Sequence, residues 1–187
     1  MNKHIDIIFL GDSLTFGYGV PKKNSWVYKI QNNLNLTSLN KGCNGDTSTG
    51  MLTRYYEDVI KYTPNKIFIM CGSNDLLLGR TVKSIIENIE LMIKEALEIN
   101  SNAIIGIPPS IIGDMANKLF SSSPFYRYAE ENLTKLKEEI INLTINYNLS
   151  YIDFHSITLN NSDIYLDGIH LNSFGNDIMY KNAISYF

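Results

Sequence analysis

Five short segments along the chain are candidates for β-strands. They are Ile5–Leu10, Ser38–Lys41, Lys66–Cys71, Ala103–Ile107 and Tyr151–Phe154. The runs Ile67–Met70 and Ala103–Ile105 are apolar at every position, as in strands whose two faces are both covered. The pattern therefore predicts a sheet buried on both sides.

Apolar positions at steps of three and four predict helices between these strands. The clearest stripe covers Phe125–Tyr147, where Ser123 supplies an N-cap and Pro124 a first-turn proline. A second stripe covers Lys83–Ile99. Shorter helices are predicted over Trp26–Leu34, Met51–Ile60 and Phe174–Tyr186, the last with Ser173 as its N-cap.

Strands that alternate with helices form parallel sheets with right-handed crossovers. The chain is therefore expected to fold as a three-layer α/β/α sandwich with about five parallel strands. One connection, from Pro108 to Ser123, is long for a compact domain, and such loops are usually functional or mobile.

Composition narrows the class of protein further. The chain has 187 residues, of which 44% are hydrophobic and 19% charged, and this predicts one globular domain over residues 1–187. The net charge is −3 with no basic stripe, so no nucleic-acid partner is expected. No apolar run is long enough to span a bilayer, and the N-terminus lacks the apolar region of a secretory leader. A cytoplasmic location follows, with Cys43 and Cys71 as reduced thiols.

Residues with catalytic potential follow four of the predicted strands. Ser13 follows the first, Gly45 the second and Asn74 the third, while Asp167 and His170 follow the fifth. The carboxyl ends of parallel strands meet at one edge of the sheet, where α/β proteins bind ligands. These residues are therefore expected to share one site.

The residue types fit nucleophilic catalysis. A serine hydroxyl needs a base to take its proton, and imidazole titrates near pH 6.5 in short peptides. His170 is the candidate base, and Asp167 lies three residues before it, where one turn can hold both side chains together. A carboxylate in that place orients the imidazole and stabilises its protonated form.

Attack on an ester carbonyl produces an oxyanion, which requires hydrogen-bond donors. The candidates are the backbone N–H groups of Ser13 and Gly45 and the side-chain amide of Asn74.

Four motifs in this order resemble the SGNH hydrolases, also called the GDSL family of esterases and lipases. They are Gly11-Asp12-Ser13-Leu14, Gly45, Gly72-Ser73-Asn74-Asp75 and Asp167-Gly168-Ile169-His170, and they span nearly the whole chain. Ser73 is a small departure, because many members of the family have glycine there.

The resemblance implies a flavodoxin-like sandwich with strand order 2-1-3-4-5. It also implies a Ser13-His170-Asp167 mechanism without metal or cofactor, with Ser13, Gly45 and Asn74 as the oxyanion hole. The family includes carboxylesterases, thioesterases, lysophospholipases and carbohydrate deacetylases. The expected partner is therefore a small-molecule acyl ester, and its identity stays open.

Two structural alternatives also stay open. Asp153 ends the fifth strand and is a rival to Asp167 as the orienting carboxylate. Apolar side chains of the long connection could form an acyl pocket or lid, or pack against the core, and two residues outside it are further pocket candidates. The pocket candidates are Ile111, Ile112, Met115, Leu119 and Phe120, with Leu78 and Tyr165.

The leading function is a serine esterase for small to medium acyl esters, with a carbohydrate deacetylase as its main rival. A different class is a phosphoacceptor module that holds Mg²⁺ through the strand-end carboxylates of Asp12 and Asp75. The serine after Asp12 disfavours it, because such a site needs paired acids there. An inactive ligand-binding protein with the same fold is the third alternative.

Overall fold

The computed structural model describes residues 4–187. Its centre is a sheet of five parallel strands in the order β2-β1-β3-β4-β5, as predicted. The strands are β1 (Ile7–Gly11), β2 (Ser38–Gly42), β3 (Lys66–Met70), β4 (Asn102–Ile107) and β5 (Ser150–Asp153).

Helices connect the strands and cover both faces of the sheet. They are α1 (Ser13–Phe16), α2 (Trp26–Leu34), α3 (Ser48–Thr53), α4 (Tyr55–Asp58), α5 (Ser73–Leu77), α6 (Val82–Glu98), α7 (Gly113–Leu119), α8 (Pro124–Tyr147), α9 (Phe154–Thr158) and α10 (Ser173–Ala183). Ser123 caps α8 by accepting a hydrogen bond from Phe125 N, as predicted.

Alternate residues of β1 enter two separate cores. Ile8 and Leu10 pack with side chains of α3, α4, α6 and α8, whereas Ile7 and Phe9 pack with those of α2, α9 and α10. All four side chains are fully buried. Because successive side chains of a strand point to opposite faces, this division confirms the three-layer α/β/α sandwich.

Three local predictions were wrong. The single helix over Met51–Ile60 is broken at Arg54 into α3 and α4, followed by a 3₁₀ turn. The connection from Pro108 to Ser123 contains α7 instead of being one long loop. The N-cap of α10 is Asn172, not Ser173, since the Asn172 side chain accepts from the first free N–H groups of the helix.

Within residues 4–187, none of the helices combines the length and the apolar character that crossing a membrane requires. Cys43 and Cys71 are both free thiols; Cys71 is buried and Cys43 is exposed. The predicted lack of a leader rests partly on residues 1–3, which lie outside the described residues. The cytoplasmic location and the single domain over 1–187 stay predictions.

Candidate active site

Ser13 is the first residue of a short helix that begins directly after β1. Asp12 caps α1 by accepting a hydrogen bond from Leu14 N at 2.9 Å. The α1 backbone lies against the end of β2: a Cβ on Gly42 would come within 2.3 Å of Phe16 N. The strand end and this close packing fix Ser13, which is 5% exposed, at the carboxyl edge of the sheet.

A hydrogen-bonded chain joins Ser13 to the loop after β5. Ser13 Oγ lies 3.0 Å from His170 Nε2, and His170 Nδ1 lies 2.7 Å from Asp167 Oδ2. The other oxygen of Asp167 accepts the backbone N–H groups of Ile169 and His170, at 2.9 and 2.7 Å. With Nδ1–H donated to the carboxylate, Nε2 is the acceptor that faces the serine hydroxyl.

Helix α7 supports the loop that carries Asp167 and His170. Gly168 between them has φ +89°, a conformation that favours glycine, and a Cβ there would lie 2.5 Å from Ile112 O. The Gly168 carbonyl accepts Ile112 N at 2.8 Å. The segment predicted as a long loop therefore packs directly against the backbone of this loop.

Gly45 and Asn74 reach the same edge from β2 and β3. Gly45 has φ +76°, and a Cβ there would meet nothing within 4 Å, so its backbone is open to an approaching group. Asn74, in the first turn of α5, donates from Nδ2 to Asp46 O at 2.9 Å and to Asp12 Oδ2 at 3.3 Å. Both residues thus follow strands that neighbour β1, and Asn74 reaches the carboxyl group of Asp12, the residue before Ser13.

Asp12 is a buried carboxyl group beside these donors. It is 1% exposed, and burial raises its pKa to about 7, an effect that the Leu14 N–H and the His170 charge oppose. The nearby Asp46 and Asp75 charges add to the rise. Folded Asp12 is therefore mostly neutral below about pH 7 and mostly ionised above it.

This shift predicts a pH-dependent stability. An unfolded aspartic acid releases its proton near pH 4, whereas folded Asp12 keeps it to about pH 7, so its contribution to stability falls as pH rises between these values. Asp12→Asn removes this titrating group. The free energy of unfolding of the variant, relative to that of the wild type, is therefore expected to rise by about 3 kcal/mol between pH 5 and pH 8. Urea unfolding at both pH values measures this difference.

Asp163→Asn is the matched control, because Asp163 is an exposed carboxylate away from this cluster. Its stability difference from the wild type is expected to change little with pH. A constant difference between Asp12→Asn and the wild type would show that Asp12 ionises normally.

The rival carboxylate Asp153 has other partners. It pairs with Lys137 at 2.7 Å and accepts Ser156 N at 2.9 Å as the N-cap of α9. Among the described residues, it is Asp167 that bonds to the His170 ring. The geometry favours Asp167 for orientation of the imidazole.

Two of the predicted pocket residues lie in the core instead. Ile111 is 3% exposed, and Tyr165 is 5% exposed with its hydroxyl donated to Ser110 O at 2.6 Å. Both side chains pack against other residues, so burial in the core is the role that the structure shows for them. Ile112 and Met115 pack partly against the same core, and Leu78 is exposed at the end of α5. Leu119 and Phe120 are also exposed. For these five residues, contact with substrate stays a prediction.

The structure adds two residues that the sequence pattern did not indicate. The ring of Tyr18 lies against that of His170, with 4.5 Å between centroids, and Tyr18 is 48% exposed. The Arg54 guanidinium bonds to Gly11 O and to the Asp46 carboxylate. The only sequence signal for Tyr18 was its place as an aromatic residue soon after Ser13. Nothing in the sequence indicated the role of Arg54, because its partner Gly11 is distant along the chain.

Comparison with known proteins identifies the family. The profile of the GDSL-like lipase/acylhydrolase family matches residues 9–178, and the chain belongs to this family. An arylesterase from Vibrio mimicus is 31% identical over 112 residues, which cover 56% of this chain and 56% of that protein. The match thus spans only about half the length of this curated relative.

Solved structures share the fold over nearly the full chain. A member of the lipolytic G-D-S-L family from Veillonella parvula superposes with a TM-score of 0.83 at 24% identity and covers 97% of each chain. An acetylxylan esterase from Geobacillus stearothermophilus gives a TM-score of 0.77 at 18% identity, covering 99% of this chain and 95% of that one. The predicted family and fold class are confirmed.

Proposed function

We propose that the protein is a serine esterase that hydrolyses small to medium acyl esters through an acyl-enzyme intermediate. The observation that carries the proposal is the chain of hydrogen bonds from Ser13 through His170 to Asp167, at 3.0 and 2.7 Å. These residues supply a nucleophile, a base and an orienting carboxylate in contact with one another. No cofactor is needed for this chemistry.

The reaction proceeds in two halves. Ser13 Oγ attacks the ester carbonyl carbon while His170 Nε2 takes the hydroxyl proton and then gives it to the departing alkoxide. The acyl group is left on Ser13. Water then attacks this ester while His170 Nε2 takes its proton. The tetrahedral intermediate collapses, releases the carboxylic acid, and Ser13 Oγ receives the proton from His170. Asp167 accepts the Nδ1–H throughout and stabilises the imidazolium.

Three donors stabilise the oxyanion in this proposal: the N–H groups of Ser13 and Gly45 and the Asn74 amide. Both hydrogens of Asn74 Nδ2 are engaged without substrate, and the contact to Asp12 is the longer, at 3.3 Å. The oxyanion takes this weaker bond and leaves the 2.9 Å bond to Asp46 O in place. Below about pH 7 Asp12 is mostly neutral and adds little repulsion to the oxyanion.

In this proposal short acyl groups are preferred, because the surface beside His170 is open to solvent. Tyr18 forms a half-exposed wall against His170. A longer chain would therefore lie on the surface.

A series of p-nitrophenyl esters from acetate to hexanoate tests the acyl preference. A buried CH₂ contributes about 0.8 kcal/mol, or roughly fourfold in kcat/KM. We expect gains well below this per carbon, because the chain stays largely in water. A steady fourfold rise per carbon would contradict the short-acyl assignment and indicate a lipase-like or thioesterase-like pocket.

The alternative within the same chemistry is a carbohydrate O-acetyl esterase. It fits the proposed preference for short acyl groups, since acetyl is the shortest acyl group in natural esters of this kind. Acetylated xylo-oligosaccharides compared with p-nitrophenyl acetate separate the two. A much higher kcat/KM on the sugar would assign the deacetylase, and equal or lower values favour the general esterase.

The phosphoacceptor alternative has less support. Asp75 is 1% exposed, and it accepts Ser48 N and Oγ at 2.8 Å and Arg80 at 3.2 Å. A carboxylate held in this way has little capacity left for Mg²⁺. Mg²⁺-dependent labelling by acetyl phosphate would revive that function.

A further inference from the structure

Arg54 lies at the break between α3 and α4 and makes three separate hydrogen bonds. Its Nε donates to Asp46 Oδ2 at 2.8 Å, Nη1 to Asp58 Oδ2 at 2.6 Å, and Nη2 to Gly11 O at 3.1 Å. The side chain is 22% exposed and that of Asp46 is 11% exposed. This burial distinguishes the pair from surface ion pairs, which solvent and salt screen.

Two of the three partners of Arg54 lie next to residues of the candidate oxyanion hole. Gly11 ends β1, two residues before Ser13. Asp46 follows Gly45, and its carbonyl accepts the Asn74 amide at 2.9 Å. The Arg54 guanidinium therefore connects the end of β1, which leads to Ser13, with the Gly45–Asp46 loop. This loop contains the Gly45 N–H, and its Asp46 carbonyl holds the Asn74 amide.

We propose that Arg54 is a positioning residue for the oxyanion hole, holding the Gly45–Asp46 loop against the end of β1 so that the donors meet the substrate oxyanion. This inference rests on the proposed esterase function. Arg54 acts only through the loop and contacts neither the substrate nor Ser13 Oγ in this account.

The planar fork of arginine is needed for this role. A lysine ammonium is a single point charge and does not reproduce the parallel contacts with Asp46 and Gly11 O. Asp58 does not depend on Arg54 alone, because Lys41 also donates to it at 2.8 Å. Asp46 keeps the local hydrogen bond from Thr47 N to its Oδ1 at 2.9 Å, so loss of Arg54 releases its Oδ2 and with it the link to the end of β1. The packing at Asp46 is close, since a Cβ on Gly50 would lie 1.9 Å from its Oδ1.

The test compares Arg54→Ala and Arg54→Lys with the wild type on p-nitrophenyl acetate. We expect kcat to fall by roughly 10- to 100-fold with KM little changed, because displaced donors weaken binding of the transition state more than that of the ester. Guanidinium at millimolar concentration is expected to restore part of kcat in Arg54→Ala. Arg127→Ala is the control, since Arg127 pairs with Glu131 on the exposed face of α8. It is expected to keep wild-type kcat and not to respond to guanidinium.

A double-variant comparison separates positioning from general stability. In an Asn74→Ala background, where one donor is already absent, Arg54→Lys is expected to cost much less than in the wild type. Wild-type kcat in both folded Arg54 variants, or a full and additive loss in the Asn74→Ala background, would overturn the positioning role alone. Absence of Ser13-dependent turnover in the wild type would instead overturn the esterase function on which it rests.

Discussion

Replacing Ser13 with alanine is expected to lower kcat on p-nitrophenyl acetate by ~10⁴-fold or more, because no other group can form the acyl-enzyme. The residual rate comes from the oxyanion donors and from substrate binding. KM is expected to change much less than kcat, since the hydroxyl acts in the transition state. Steady-state rates of the two purified proteins measure this effect.

Ser73→Ala is the matched control for this experiment. Ser73 is also a buried serine at the first position of a helix after a neighbouring strand, and its hydroxyl has no hydrogen-bond partner among the described residues. Its removal is expected to leave kcat close to that of the wild type. Equal kcat values for Ser13→Ala and the wild type would remove Ser13 from the reaction.

The second large effect is expected at Asp167. Asp167→Asn is expected to lower kcat by ~10⁴-fold, because the amide places its own N–H toward His170 Nδ1 and favours the tautomer whose Nε2 carries the proton. That tautomer cannot accept the Ser13 proton. Both carboxylate oxygens are already fixed by His170 and the adjacent backbone, so the amide cannot simply turn away.

The ionised state of Asp167 persists well into acid. Burial raises its pKa, but hydrogen bonds from His170 and from the backbone N–H groups of His170 and Ile169 outweigh this and hold the pKa below its usual range. Stability from this carboxylate is present at neutral pH and is lost only as pH falls through that lowered value. Loss of activity above that range therefore does not arise from protonation of Asp167.

Asp153→Asn controls for the removal of a strand-end carboxylate. It breaks the ion pair with Lys137 but preserves an N-cap oxygen, so we expect near-normal kcat and a stability change within about 1 kcal/mol. If Asp153→Asn abolished turnover and Asp167→Asn did not, the rival assignment would be correct.

The sheet could be predicted because its inner strands β3 and β4 carry apolar residues on both faces. Ile67–Met70 has no polar position, and a segment of this kind is stable only between two layers of helices. The break at Arg54 could not be predicted, because the apolar stripe continues through it to Tyr55. The Arg54 side chain bonds there to Gly11 and Asp46, and a local pattern contains no sign of such tertiary contacts.

The candidate site was predictable to a similar degree. Residues that follow parallel strands were predicted to share one edge of the sheet. Asp167 and His170 were predicted to pair because they are three residues apart. Both predictions follow from backbone geometry. Ile111 and Tyr165 were placed in a pocket on apolar character alone, and that character equally describes the core in which they lie. Distinguishing the two requires knowledge of the packing of α7.

Covalent labelling with a fluorophosphonate, followed by peptide mass spectrometry, tests the central claim most directly. The reagent reacts covalently with an activated nucleophile, so the result does not depend on knowing the natural ester. We expect one stoichiometric adduct on Ser13, slowed strongly in Asp167→Asn and absent in Ser13→Ala. An adduct on another side chain with Ser13 unmodified, or no adduct on a protein that hydrolyses esters, would contradict it.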